Sequence, residues 1–284
     1  GIERMKPMPG DKKQPEWFRI SGDDSFTLYS KFRRTKGVMD TVGTIAYELR
    51  AEQEQAVSQT FAYFMSHEKS EYLWNAKPRF GKTLSTYDLC KRLQATKDNY
   101  ACNILIVTNR PAIANSWYED FVKFIGTESG FRFVSEVSAL KGKPYVMSRD
   151  EYTASLRQKK ADCIEFVSLQ DLKGSLYFGG RHDKLKELVN MQWELLVIDE
   201  AHEGVDTAKT DVAFHQIKRN HTLHLSGTPF KALANDKFPS DAIYNWTYAD
   251  EQKAKAGWND PERNNPYENL PQLNLFTYQM SEII

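Results

Sequence analysis

The chain has 284 residues, 40% hydrophobic and 27% charged, which suffices for one large domain or two small ones around a sizeable core. Its 38 basic and 38 acidic side chains give a formal net charge of zero, so binding of nucleic acid by bulk positive charge is excluded and any such contact needs a local basic surface. The charged, proline-bearing start lacks the apolar segment of a signal peptide, no apolar run reaches membrane-spanning length, and single cysteines at 90, 102 and 163 have no metal spacing; the expectation is a cytoplasmic protein with reduced, buried thiols. Residues 1–43 form an N-terminal extension or linker with aromatic residues at Trp17, Phe18, Phe26, Tyr29 and Phe32, and the absence of an initiator Met at Gly1 points to further sequence upstream.

From Thr44 a helical period begins, with Ile45, Leu49, Ala56, Val57, Phe61 and Phe64 marking apolar faces. Short apolar runs then alternate with amphipathic stretches: Tyr72–Trp74, Ile104–Val107, Phe133–Val134, Ile164–Val167, Leu195–Ile198 and Leu223–Leu225. That rhythm is the signature of βα units, and it predicts an α/β domain over 44–233 with a parallel sheet flanked by helices. In such sheets ligands bind beyond the carboxyl ends of the strands. Residues 234–284, rich in Asn, Pro and Lys and closing on the apolar segment Leu273–Tyr278, are expected to be a C-terminal extension.

The sequence Ala76-Lys77-Pro78-Arg79-Phe80-Gly81-Lys82-Thr83 lies between a strand-like run and the helix-like stretch Leu84–Leu93, the context a P-loop requires. Backbone N–H groups of the loop and helix start, at Arg79, Gly81 and Leu84 among others, would face an anion. Lys82 would bridge the outer phosphates of ATP, and the Thr83 hydroxyl would bind Mg²⁺. Ala76 replaces the first glycine of the usual pattern, and the bulky Arg79 and Phe80 must point away from the phosphates. A second signal is Leu195-Leu196-Val197-Ile198 running into Asp199-Glu200-Ala201-His202, a buried strand with acids at its tip. Asp199 would hold Mg²⁺ and Glu200 would orient or deprotonate the attacking water.

Gly-Lys-Thr, then Asp-Glu-Ala-His, then Ser226-Gly227-Thr228-Pro229 stand in the order found in superfamily 2 helicases and translocases. Within that group the chain resembles the motor subunit of type I and type III restriction enzymes. The phrases that carry this are Leu49-Arg50-Ala51-Glu52-Gln53, Ile106-Val107-Thr108-Asn109-Arg110-Pro111 and Val167-Ser168-Leu169-Gln170-Asp171-Leu172, so the likeness spans about residues 45 to 230. The resemblance implies a RecA-like P-loop NTPase fold and a nucleic-acid-dependent ATPase, with double-stranded DNA as the track. It further implies that Gln53 reads adenine with Arg50 in support. Thr108, Asn109, Arg110, Ser168 and Gln170 would fall on the nucleic-acid backbone, and Ser226 and Thr228 would couple that track to the ATP site through His202.

The family's second RecA-like domain, which brings arginine fingers, has no counterpart here; after Thr228 the only arginine is Arg263. The chain is therefore expected to bind ATP, hydrolyse it poorly and depend on that second domain and on methylase or specificity subunits. An RNA or repair helicase of the same superfamily, or a P-loop scaffold that does not turn over, are the alternatives. Pro239-Ser240-Asp241 with Glu251-Gln252-Lys253 resembles a nuclease pattern but has no strand-like run to carry it, and His221 and His224, three apart on an expected strand, would face opposite sides, a poor arrangement for a shared metal.

Overall fold

The computed structural model describes residues 3–4, 18–19, 46–97, 101–109, 111–126, 129–156, 162–199, 214–227, 238–260 and 264–270. The chain divides into two compact units, 1–45 and 46–284. In the first, β1 (Glu3–Arg4) pairs antiparallel with β2 (Phe18–Arg19).

The second unit is an eight-stranded, all-parallel sheet. Its strands are β3 (Ser70–Ala76), β4 (Asn103–Thr108), β5 (Arg132–Ser135), β6 (Val146–Met147), β7 (Cys163–Ser168), β8 (Trp193–Asp199), β9 (Arg219–Ser226) and β10 (Ile243–Trp246), in the spatial order β10-β3-β9-β8-β4-β7-β5-β6. The helices are α1 (Ala51–Ser66), α2 (Lys82–Ala95), α3 (Ala114–Asp120), α4 (Arg149–Leu156), α5 (Leu169–Gly174), α6 (Lys186–Asn190) and α7 (Tyr248–Gly257).

Strand alternation sorts the two faces. Ile104, Ile106, Leu195, Val197, Leu223 and Leu225 pack with Ala56, Val57 and Phe64 of α1, Tyr87, Leu89 and Leu93 of α2 and Trp117 of α3. Their sequence neighbours Leu105, Val107, Leu196 and Ile198 turn the other way, against Tyr152 of α4, Leu169 and Leu172 of α5 and Leu188 of α6. A sheet covered on both faces needs strands that are apolar throughout, which is why these runs do not alternate with polar residues. Full burial of each such aliphatic side chain stabilises the fold by about 1.5–3 kcal/mol.

The sheet does not end at residue 233. Residues 243–246 form β10, which pairs in parallel with β3, Trp246 opposite Ala76. Asn245 and the polar flanks dilute its apolar signal, and the stretch between Asp241 and Glu251 thus contains a strand that its composition hides. Tyr244 is buried in the core, and its hydroxyl donates to the Glu52 carbonyl at 2.8 Å.

One buried ionic cluster interrupts the apolar interior. Glu165, mid-strand on β7 and fully buried, accepts from the Arg149 guanidinium at 2.5 Å, and Arg149 also meets Glu187 at 2.7 Å. Burial pushes the Glu165 carboxyl up to about 7 against the pull of Arg149, and its Oε2 has no hydrogen-bond partner. His221 stacks on Phe64 while His224 bonds Glu71 at 2.9 Å, so the two histidines have separate surroundings. All three cysteines are unbridged and buried. Burial, reinforced by Glu194 and Asp162, lifts the Cys102 thiol to about 12, and Cys90 and Cys163 stand well above their ordinary value for the same first reason. Among the described residues no helix is long and apolar enough to cross a membrane.

Candidate functional site

Register aligns the strand tips along one edge. Trp246 lies opposite Ala76, Asn75 opposite Ser226, Leu225 opposite Asp199, Asp199 opposite Thr108, and Thr108 opposite Ser168. Six strands from different parts of the chain thus end together, and five of them carry residues singled out by the motifs or lead directly into them. A cavity of about 830 Å³ opens at the opposite, amino edge between Lys69, Glu71, Lys218 and Arg219, and none of the motif residues lines it.

Between β3 and α2 the chain makes a tight loop. The Phe80 N–H donates to the Lys77 carbonyl at 3.2 Å, Pro78 stands second in this turn, and Arg79 stands third with φ +69°. A proline followed by a positive φ is the pattern of a type II turn. It sends the two bulky residues apart: Arg79 is exposed, whereas Phe80 is fully buried against Trp74 and Tyr244. Burial keeps the Phe80 ring out of the loop's mouth.

Gly81 follows with φ +91° and caps α2 without any side-chain hydrogen bond to the helix start. The backbone angle favours glycine, and a Cβ there would lie 2.3 Å from the Gln53 Nε2, so any side chain would push that amide aside. With no side chain capping it, the first turn of this 14-residue helix keeps its positive end available to an anion. The Lys82 amino group donates to the Ala76 carbonyl at 2.8 Å, across the base of the loop. Thr83 is half-buried in that first turn, and Leu84 follows it.

Gln53 and Arg50 hold the loop from behind. The Gln53 amide nitrogen donates to the Phe80 carbonyl at 2.7 Å, and its oxygen accepts the Arg50 backbone N–H at 2.9 Å. Arg50 Nη2 also donates to the Phe80 carbonyl, at 2.6 Å, and its Nε pairs with Glu52 at 2.6 Å. Tyr267 completes this cluster: its hydroxyl donates to Glu52 at 2.7 Å, and its ring lies 5.9 Å from the Arg50 guanidinium carbon. On the loop's other flank Lys77 is ion-paired with the buried Glu251 of α7, and the Lys77 N–H donates to the Trp246 carbonyl at 3.2 Å. Neither Tyr267 nor Glu251 belongs to a nucleotide-site motif; only their position in space ties them to the loop.

Asp199 ends β8, one strand removed from β3, with β9 between them. Its Oδ2 accepts the indole N–H of Trp117 at 3.0 Å. Trp117 sits on α3, just after the Thr108-Asn109 segment, and its own carbonyl accepts the Tyr87 hydroxyl of α2 at 2.6 Å. Ser226 is fully buried at the tip of β9, and a Cβ placed on Gly227 would lie 3.5 Å from Pro78 Cδ, so the third motif abuts the phosphate loop. Farther along the edge, Thr108 and Ser168 are each 1% exposed, and Ser168 caps α5 by accepting the Asp171 N–H at 3.0 Å. Asn109 is half-buried and Gln170 exposed. Arg110, Glu200, His202 and Thr228 lie outside the described residues.

The donor set fits a magnesium–nucleotide: a glycine with a left-handed backbone, an uncapped helix start, an ammonium group, and a carboxylate two strands away on the same edge. A family model described as the res subunit of type III restriction enzymes matches residues 46–231. The C-terminal part of a putative type II restriction enzyme and methyltransferase from Mycoplasma pneumoniae is 24% identical, over 84% of this chain and 36% of that protein; the chain spans about a third of that relative's length. Among solved structures, a nuclease-deletion mutant of the type ISP restriction-modification enzyme LlaGI, in complex with a DNA substrate mimic, superposes with a TM-score of 0.53 at 14% identity, over 74% of this chain and 20% of that one. The Sulfolobus solfataricus SWI2/SNF2 ATPase core in complex with double-stranded DNA gives 0.47 at 17% identity, over 68% and 35%.

Proposed function

The chain belongs to the family of type III restriction enzyme res subunits, and from that premise we propose that it is the first RecA-like, ATP-binding motor domain of a DNA translocase in a restriction or phage-defence system. The observation that carries this reading is the shared edge: the loop that leads into Gly81-Lys82-Thr83 leaves the tip of β3, and Ser226 and Asp199 end β9 and β8, the next two strands of the sheet.

In this reading the N–H groups from Arg79 to Leu84 and the Lys82 amino group bind the phosphates of ATP, and Thr83 and Asp199 hold Mg²⁺. A bound magnesium supplies charge neutralisation on the departing phosphoryl group. Glu200 orients the attacking water, and His202 with Ser226 and Thr228 relates the ATP site to the track. Arg50 and Gln53 form the adenine side, and their bonds to the Phe80 carbonyl support that by placing both beside the loop. Asn109, Arg110 and Gln170, with Thr108 and Ser168 shaping the backbone beneath them, face double-stranded DNA. The LlaGI relative, solved with a DNA substrate mimic, and the Mycoplasma relative, named as a methyltransferase as well, support DNA as the track and methylase partners for the whole protein.

Translocation needs two domains closing on nucleotide. This chain is accordingly expected to bind Mg-ATP weakly and to hydrolyse it poorly until the second RecA-like domain is supplied. Calorimetry of the chain with Mg-ATP, and with Lys82→Ala as control, tests the site; binding that persists unchanged in the variant would sink it. For the longer protein, stimulation of ATPase activity by duplex DNA and not by RNA is the expected result, and the reverse would make it an RNA helicase.

A further inference from the structure

Resting on that nucleotide-site reading, we propose that Trp117 is the positioning residue for Asp199, and that it ties the metal-binding carboxylate to the phosphate-loop helix. Trp117 is 2% exposed, yet its indole N–H is spent on a carboxylate oxygen 82 positions away in sequence. A buried tryptophan needs a partner for that N–H, and a backbone carbonyl would serve; Trp193, for comparison, donates to the Leu188 carbonyl at 3.0 Å. Trp117 instead takes one oxygen of the acid at the strand tip.

The ring itself is held from the other side. Tyr87, fully buried on α2 two turns from Gly81, donates its hydroxyl to the Trp117 carbonyl at 2.6 Å and sets its ring edge-on to the indole, with centroids 5.4 Å apart and planes at 86°. The chain Tyr87–Trp117–Asp199 therefore runs from the helix that starts at the phosphate loop to the acid on β8, through a helix that follows the tip of β4. Groups behind a metal ligand fix its orientation, and their loss costs metal affinity without removing a ligand. With Oδ2 engaged by Trp117, the rotation of the Asp199 carboxylate is fixed, which orients Oδ1.

The test is calorimetric titration of ATP with and without Mg²⁺, in the unaltered chain and in Trp117→Phe, Tyr87→Phe, Asp199→Ala and the Trp117→Phe/Asp199→Ala pair. Phe keeps most of the ring and deletes the N–H. The expected result is that Trp117→Phe leaves metal-free affinity nearly unchanged but cuts the gain conferred by Mg²⁺ about tenfold, with no additional cut in the Asp199→Ala background. Tyr87→Phe should cut the same gain by a smaller factor. A Trp117→Phe protein with the full Mg²⁺ gain, or with equal losses with and without metal, overturns the positioning role while leaving the nucleotide site standing. If Trp117→Phe does not fold, a full Mg²⁺ gain in Tyr87→Phe overturns it. Absence of any Mg²⁺ gain in the unaltered chain, with ATP still bound through Lys82, removes Asp199 as the metal ligand and this role with it.

Discussion

Gly81 concentrates two constraints in one residue, a left-handed backbone and a side-chain amide where its Cβ would be. Gly81→Ala should therefore destabilise the fold by about 1–3 kcal/mol and displace Gln53 from the Phe80 carbonyl. A urea melt with an unshifted midpoint would show that the loop relaxes instead. Glu165 makes a different kind of prediction. Its folded value, near 7, lies above the ordinary carboxyl value of 4.5, so the folded chain holds its proton more tightly than the unfolded chain does. The stabilisation from this group is complete below about pH 4.5 and is lost as pH rises through 7. Glu165→Gln, which keeps the shape of the protonated acid, should remove that part of the pH dependence. Denaturant melts between pH 5 and 7.5 would then give a flatter stability profile for the variant than for the unaltered chain, and parallel profiles would refute the protonated, buried acid.

At the scale of elements, α7 anchors the phosphate loop although it lies beyond the motifs. Thr247 caps it: its hydroxyl accepts the Asp250 N–H at 3.3 Å while Asp250 accepts the Thr247 N–H at 2.9 Å. Thr247→Ala should cost about 1 kcal/mol of stability and, by loosening Glu251 from Lys77, weaken Mg-ATP binding; an unchanged affinity would mean that the loop holds its shape without the helix. The sheet strands were legible because burial on both faces demands continuous apolar runs, and Ile104–Val107 or Leu195–Ile198 allow no other reading. The phosphate loop was legible because it is local in sequence. β10 was not, since an edge strand is half-wetted and Asn245 with its neighbours satisfies that without a long apolar run. Trp117 was equally silent: nothing within the helix marks it, and its meaning comes from Asp199 on a distant strand.

For the whole molecule, β10 and the segment after it determine where the domain can be cut. Ending the chain at residue 237 would leave β3 as an exposed edge and remove Glu251 and Tyr267 from the loop. Such a truncation should be less soluble and less stable than the chain ending at 284, measured by sedimentation and thermal melting; equal behaviour would show that the sheet closes adequately on β3. Burial of all three native thiols has a practical corollary. A thiolate is the reactive form, and each cysteine here is shielded and held protonated. The unmodified protein should thus be nearly blind to maleimide dyes. A cysteine introduced at the exposed Arg79, beside the loop's mouth, would be a single addressable handle for an optical reporter of nucleotide arrival, with no background to engineer away.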